Sequence, residues 1–335
     1  MAEPVRILLV EDNLVMQYYI KAAISEQPDF AIAAIAADGL EAVEQAVSLR
    51  PDVILLDLYL PSIDGIEVIY RVMQQAPCPI VVISSELDRA GRDLSFEAQK
   101  AGAVDILAKP KGMQEADYRT FADQLSAIIR ALAGSAVARL PSSVDLAPTA
   151  YALKVQFDLL LIGASTGGPA ALYRLLETIG PDFDYSVVIA QHMAEGFTDS
   201  LCQWLAKTGC RVKLAANGEL LQRATVYLAP DNRHVLIGKQ QRLWLKHSPM
   251  TFTPNVDELF FSAADNYSGR ICALLLTGMG SDGAEGLLKL QGSGAFTVAE
   301  SEQSCVVFGM PKAAIACGAA KSILSLDEIC AMLAA

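Results

Sequence analysis

The chain of 335 residues opens without a basic, then apolar, leader pattern and contains no apolar run near the length of a membrane span. A soluble, cytoplasmic protein is expected. There is no Cys-x-x-Cys, and the seven cysteines are odd in number and scattered, which suits buried, reduced thiols better than a disulfide framework or a zinc site. Positive charge is scarce as well. Lys and Arg number 26 against 38 Asp and Glu, a formal net charge of −12 that suits neither nucleic acid nor an acidic membrane as a direct partner. The second half offers no basic helix-turn-helix candidate. What the chain does have is core: 53% hydrophobic residues and 19% charged ones, over a length that accommodates two globular units.

The first third alternates short β-branched runs with amphipathic stretches. Val5–Val10, Ile32–Ala36, Val53–Asp57, Ile80–Ser84 and Asp105–Ala108 read as strands, and Leu40, Val43, Val47 and then Ile66, Ile69, Val72 recur at helical spacing. Five βα repeats predict a parallel, doubly wound sheet, whose ligands gather at the C-terminal strand ends. Glu11 and Asp12 follow the first strand, Asp57 ends the third, Ser84 ends the fourth, and Lys109-Pro110 follows the fifth. Any one of these acids could be a solvated loop carboxylate. Five groups at matching strand ends point instead to one site, in which three carboxylates require a hard cation such as Mg²⁺, and a lysine and a hydroxyl bind a phosphoryl group that Asp57 attacks.

Here the segment resembles the receiver domain of response regulators, a flavodoxin-like five-stranded fold. The resemblance implies Asp57 as phospho-acceptor, Mg²⁺ held by Glu11, Asp12, Asp57 and the Tyr59 carbonyl, Ser84 and Lys109 as phosphoryl ligands, and a histidine kinase as phosphodonor. It also implies a cis Lys109–Pro110 bond. Ile106 stands where receivers carry an aromatic switch residue, which separates the acid chemistry from the usual output route.

Residues 132–156, rich in Ala, Ser and Pro and without periodicity, read as a tether between units at 1–131 and 157–335. Beyond it, the apolar run from Phe157 stops in Gly163-Ala-Ser165-Thr-Gly-Gly-Pro169, a strand-to-helix turn that lifts one serine off the sheet and fits the Gly-x-Ser-x-Gly pattern. Taken alone, this is also a plain tight turn. The glycine spacing is wrong for a dinucleotide fingerprint, and no lysine is present for a P-loop. A second buried strand ends in Gln191-His192-Met193, and a third, Ile271–Thr277, runs into Thr277-Gly-Met-Gly-Ser-Asp282-Gly. Alone, Asp282 reads as an acid at its own helix start, as does Asp257. His234 and His247 read as surface or strand-edge residues around a hairpin in 225–245. Together, Ser165, His192 and Asp282 sit at three strand ends, the requirement for a serine relay, in a chain order that differs from that of the α/β-hydrolases.

With Cys305-Val-Val-Phe-Gly-Met-Pro311, these motifs resemble the catalytic domain of chemotaxis protein-glutamate methylesterases, which join a receiver to a methylesterase domain. The resemblance implies a mainly parallel, doubly wound α/β esterase domain with a β-hairpin. Ser165 becomes the nucleophile, His192 the general base and acid, and Asp282 the orienting carboxylate. The substrate it implies is a glutamate γ-methyl ester on the cytoplasmic region of a chemoreceptor, with deamidation of receptor glutamines as a companion activity. Backbone N–H groups of Thr166 and Met279 are the oxyanion candidates, and no cofactor is needed for the esterase step. A monomer whose unphosphorylated receiver obstructs the esterase is expected. Two alternatives remain open: a docking regulator whose esterase-like domain has lost turnover, and a methylesterase serving a receptor pathway outside chemotaxis.

Overall fold

A computed structural model describes residues 3–84, 89–110, 115–133, 155–247 and 253–334. These residues form two compact units, one N-terminal and one C-terminal. The expected tether at 132–156 lies largely outside the described residues.

In the N-terminal unit the strands β1 (Val5–Val10), β2 (Phe30–Ala36), β3 (Val53–Leu56), β4 (Ile80–Ser84) and β5 (Asp105–Ala108) alternate with the helices α1 (Leu14–Ser25), α2 (Gly39–Leu49), α3 (Gly65–Gln75), α4 (Arg89–Ala101) and α5 (Glu115–Leu132). All pairings are parallel, in the order β2-β1-β3-β4-β5. Near-continuous apolar strands are what a sheet covered on both faces demands, and β1, β3 and β4 are buried almost throughout. Asn13, Asp38 and Asp64 cap α1, α2 and α3 by accepting from first-turn N–H groups. The half-buried Ile106 packs on the core of this unit.

The C-terminal unit runs β6 (Leu159–Ala164), α6 (Gly168–Ile179), β7 (Ser186–Gln191), α7 (Thr198–Ala206), β8 (Val212–Leu214), β9 (Thr225–Leu228), β10 (His234–Gly238), β11 (Arg242–Lys246), α8 (Val256–Asn266), β12 (Ile271–Leu275), α9 (Ala284–Gly292), β13 (Phe296–Glu300), α10 (Met310–Ala316), β14 (Ser322–Leu324) and α11 (Leu326–Ala334). Seven parallel strands take the order β14-β13-β12-β6-β7-β9-β8, and β10 and β11 form a separate antiparallel hairpin. The chain leaves β6 toward β7 on one side and later returns to place β12 on the other. The direction of winding therefore reverses at β6, and in sheets of this kind ligands bind beyond the C-terminal strand end at such a point. The expected strands and hairpin are present. The edge strands β8 and β14 and the inner strand β13, short or without a long apolar run, are additions. No helix among the described residues is long and apolar enough to cross a membrane.

Candidate functional site

At the rim of the N-terminal sheet, carboxylate oxygens of Glu11, Asp12 and Asp57 lie within 4.8 Å of one another. Glu11 and Asp57 are buried and Asp12 is exposed. Lys109 Nζ reaches both buried acids, at 2.6 Å from Asp57 Oδ2 and 2.9 Å from Glu11 Oε2. Burial would lower the lysine's pKa, but its bonds to Asp57 and Glu11 more than offset this and hold it above its ordinary value. Glu11 is pushed up to about 7, first by burial, against the bond from Lys109 and with the Asp57 charge adding to the rise. One ammonium does not balance this cluster. Ser84 lies alongside in the sheet: its carbonyl accepts from Lys109 N–H at 2.7 Å, while its buried Oγ has no hydrogen-bond partner among the described residues. Tyr59, exposed, donates its N–H to Asp57 Oδ1 at 3.3 Å. The expected cis bond before Pro110 is absent, since among the described residues the cis peptide is Thr253–Pro254. A trans X–Pro bond is the default by about 0.5–1 kcal/mol, and Lys109 reaches both acids without the isomer.

In the C-terminal unit, Ser165 follows the last paired residue of β6 and is 9% exposed. Its N–H donates to Thr277 O at 3.0 Å, and its carbonyl accepts from Gly168 N–H at 2.7 Å. The left-handed conformation of the turn falls on Gly167 (φ +80°), next to Val306, where a Cβ would have no room. Gly278 is required for a different reason: a side chain there would meet Ser165 Cβ at 2.6 Å. The amides of Ser165 and Gly278 are thus committed, the second to Val307 O at 3.0 Å. Thr166 is buried and Met279 half-buried beside them. The segment at 305–310 packs on the second turn, with Gly309 and Met310 both donating to Gly278 O.

His192 follows β7, and its Nε2 lies 2.7 Å from Asp282 Oδ2. Asp282, taken in isolation as a cap for its own helix, does not cap it. Helix α9 starts after the left-handed Gly283 with no side-chain cap. Asp282 instead accepts from Val256 N–H (Oδ2, 2.8 Å) and Asp257 N–H (Oδ1, 3.0 Å), the first turn of α8. Burial would raise its pKa, but the bond to His192, the imidazole charge and these two amides together hold it below the carboxylate range. Asp257 returns the contact: its Oδ1 accepts from Gly286 N–H of α9 at 2.6 Å. Burial, opposed by that amide and reinforced by the charge of Asp282, pushes Asp257 up to about 6. Each helix start is therefore held by a carboxylate from the other.

Three supporting residues escape the sequence reading. His234 is fully buried rather than at the surface, because the hairpin folds over α8, and its Nδ1 accepts from Asn255 N–H at 2.9 Å. Asn255 in turn caps α8 through Glu258 N–H. His247 is exposed, as expected. Glu300, buried at the end of β13, accepts from Thr277 N–H at 2.8 Å and from Ser304 Oγ at 2.9 Å, anchoring the turn that holds Ser165 N–H. Burial raises its pKa despite those two bonds. Gln191 donates to Ser165 O and His192 O. Of these, the buried Glu300 could have been found only from a strand assignment for β13.

Residues 160–333 match the family described as CheB methylesterase, and residues 7–119 match the response regulator receiver domain. A protein-glutamate methylesterase/protein-glutamine glutaminase of Anaeromyxobacter dehalogenans is 39% identical over 97% of this chain and 95% of its own length. One of Chromohalobacter salexigens is 38% identical over 98% of this chain and 95% of its own. The crystal structure of the Thermotoga maritima CheB methylesterase catalytic domain superposes with a TM-score of 0.51 at 36% identity, covering 54% of this chain and 98% of that one.

Proposed function

Because the chain belongs to the CheB methylesterase family and carries a receiver domain ahead of the esterase, we propose that it hydrolyses glutamate γ-methyl esters on chemoreceptors, under control of Asp57 phosphorylation. The observation that carries this reading is the 2.7 Å contact of His192 Nε2 with Asp282, at strand ends on either side of the turn that presents Ser165. Asp282 occupies Nε2, so the ring nitrogen that exchanges protons with Ser165 is Nδ1.

Ser165 Oγ attacks the ester carbonyl carbon as Nδ1 of His192 takes its proton. Asp282, kept ionised by its own amide donors, holds the imidazole orientation and stabilises the imidazolium. The carbonyl oxygen becomes an oxyanion, for which the N–H groups of Thr166 and Met279, on the two glycine turns beside Ser165, are the donors. Collapse breaks the C–O bond to methoxide, which leaves as methanol with the proton from His192. Water, deprotonated by the same nitrogen, then cleaves the glutamyl ester of Ser165 and returns a free glutamate. A glutamine side chain enters the same sequence with ammonia as leaving group, the companion activity that the relatives' names carry.

Asp57 accepts the phosphoryl group from a histidine kinase, and Lys109 Nζ, already on Asp57, and the Ser84 Oγ, which has no hydrogen-bond partner among the described residues, bind the phosphoryl oxygens. The excess of buried carboxylate over ammonium fits a divalent cation, held by Glu11, Asp12 and Asp57 with the Tyr59 carbonyl. When bound, Mg²⁺ supplies charge neutralisation for the phosphoryl oxygens. Residues 132–156 tether the two domains, and the unphosphorylated receiver obstructs the esterase, so that phosphorylation acts by its differential free energy for open and closed arrangements. Methanol release from methylated receptors, with and without Asp57 phosphorylated, tests the reading. Absence of methanol in both states would leave the docking regulator or a methylesterase of another receptor pathway, which hydrolysis of a generic ester separates.

A further inference from the structure

The ladder between β6 and β7 ends at the pair Ala164 and Gln191, and one further bond, from His192 N–H to Ala164 O at 2.9 Å, closes it. Past that point the chains part: Ser165 turns into α6, and His192 leads into the loop before α7. The side chain of Gln191 spans this fork. It is 3% exposed, and its Nε2 donates two hydrogen bonds of 2.8 Å, one to Ser165 O and one to His192 O. The amide orientation follows from its neighbours. Two carbonyl oxygens can be faced only by an NH₂ group, and the flipped amide would set oxygen against oxygen.

The same side chain is a poor choice for packing alone. Its Oε1 lies against Gly168, where any Cβ would collide with it, and it accepts no hydrogen bond among the described residues. A buried amide oxygen without a donor is destabilising, and an apolar side chain of equal length would avoid the cost. Nor does Ser165 O depend on Gln191 for satisfaction, because Gly168 N–H already donates to it at 2.7 Å. What glutamine adds is a fixed distance between the backbone of the serine and that of the histidine.

We infer that Gln191 is a positioning residue for ester cleavage, locking Ser165 against His192 where strand pairing stops. It moves no proton and touches no substrate. The inference rests on the roles given above to Ser165 and His192, and it deepens them by naming what holds the pair in register.

The test uses the full-length protein. Gln191→Met keeps length and volume and removes both N–H donors, while Gly168→Ala keeps the glutamine but drives its amide off the two carbonyls. Each is assayed for kcat and KM on a methylated receptor, and for the rate at which a fluorophosphonate labels Ser165. Gln191→Met is expected to lower kcat by about 10²-fold, the scale of a misplacement near 1 Å. KM should stay within roughly twofold, since ground-state binding is not involved. Labelling should slow in parallel, Gly168→Ala should act in the same direction, and the double variant should be little worse than Gln191→Met alone because both remove one constraint. A folded Gln191→Met enzyme with kcat within roughly twofold of wild type, or an effect confined to KM, overturns the inference. If Gln191→Met does not fold, a wild-type kcat in Gly168→Ala overturns it equally. A wild-type label that falls on a residue other than Ser165 sinks the underlying relay instead, and the inference with it.

Discussion

Two buried acids, Glu11 in the N-terminal unit and Asp282 in the C-terminal one, stand at matching places beyond a parallel sheet and meet opposite surroundings. Glu11 shares a single ammonium with Asp57, and burial drives it up to about 7. Asp282 receives two backbone N–H groups and an imidazole, and is held below the carboxylate range although burial works the other way. The difference lies in where the compensating charge comes from. A carboxylate satisfied by the chain's own donors is finished when the chain folds, which suits a relay that must be ready for each turnover. A cluster short of positive charge stays incomplete until a cation and a phosphoryl group arrive, which suits a switch.

Removing the nucleophile gives the sharpest separation of the two rims. Ser165→Ala should lower turnover by about 10⁴ to 10⁶, with acetyl phosphate labelling of Asp57 unchanged. Activity within tenfold of wild type would refute the nucleophile. Asp282→Asn comes next: it keeps an oxygen for one of the two α8 amides but sets its NH₂ against the other and leaves no charge for the imidazole, and a loss of about 10⁴ in kcat is expected from the wrong tautomer. Should Asp282→Asn retain most of its rate, the carboxylate is a structural cap for α8 and no more.

On the other rim, Lys109→Met leaves Glu11 and Asp57 facing each other without their ammonium. Labelling by acetyl phosphate should fall by about 10-fold or more, chelation of Mg²⁺ should abolish it, and Asp57→Asn should remove the hydroxylamine-labile phosphate altogether. None of the three should alter ester hydrolysis by the unphosphorylated protein. Labelling that survives in Asp57→Asn would assign the acceptor to another acid.

Regulation comes next in size. A fragment beginning near Gln156 should hydrolyse ester faster than the unphosphorylated full chain and ignore acetyl phosphate. Equal rates would replace obstruction by recruitment. The smallest effect concerns Asp257, whose folded pKa of about 6 lies above its ordinary 3.8. Its contribution to stability is therefore fully present below about pH 4 and is lost as pH rises through about 6. Asp257→Asn keeps an acceptor for Gly286 N–H without the charge. Relative to wild type, the C-terminal unit should gain about 1–2 kcal/mol between pH 4 and 7, the full shift being discounted for partial exposure. A gain that does not change with pH in denaturant melts would mean that Asp257 is not the group responsible.

The strands of both units were legible because apolar runs and their turns are local signals: β1, β4 and β5 match their expected bounds, and β2 and β3 differ by two residues or fewer at one end. Ser165, His192 and Asp282 were legible as strand-end residues for the same reason. The edge strands β8 and β14, three residues each, were not, because so short a run carries no period to read.

By itself, then, the sequence determined two βα-wound units, the rim on which each cluster of polar residues gathers, and the glycine turns after β6 and β12. Periodicity and turn chemistry act over a few residues, and those features need nothing longer. The tertiary structure alone decided that β6 lies between β12 and β7, which sets the strand end carrying position 165 between those that lead to positions 192 and 282. It also decided that Asp282 serves α8 rather than its own helix, that His234 is buried under the hairpin, and that Gln191 and Glu300 tie the turns together. Each of these is a hydrogen bond between residues far apart in the chain or on diverging backbones. Its partner is set by strand order, which no local pattern of residues encodes.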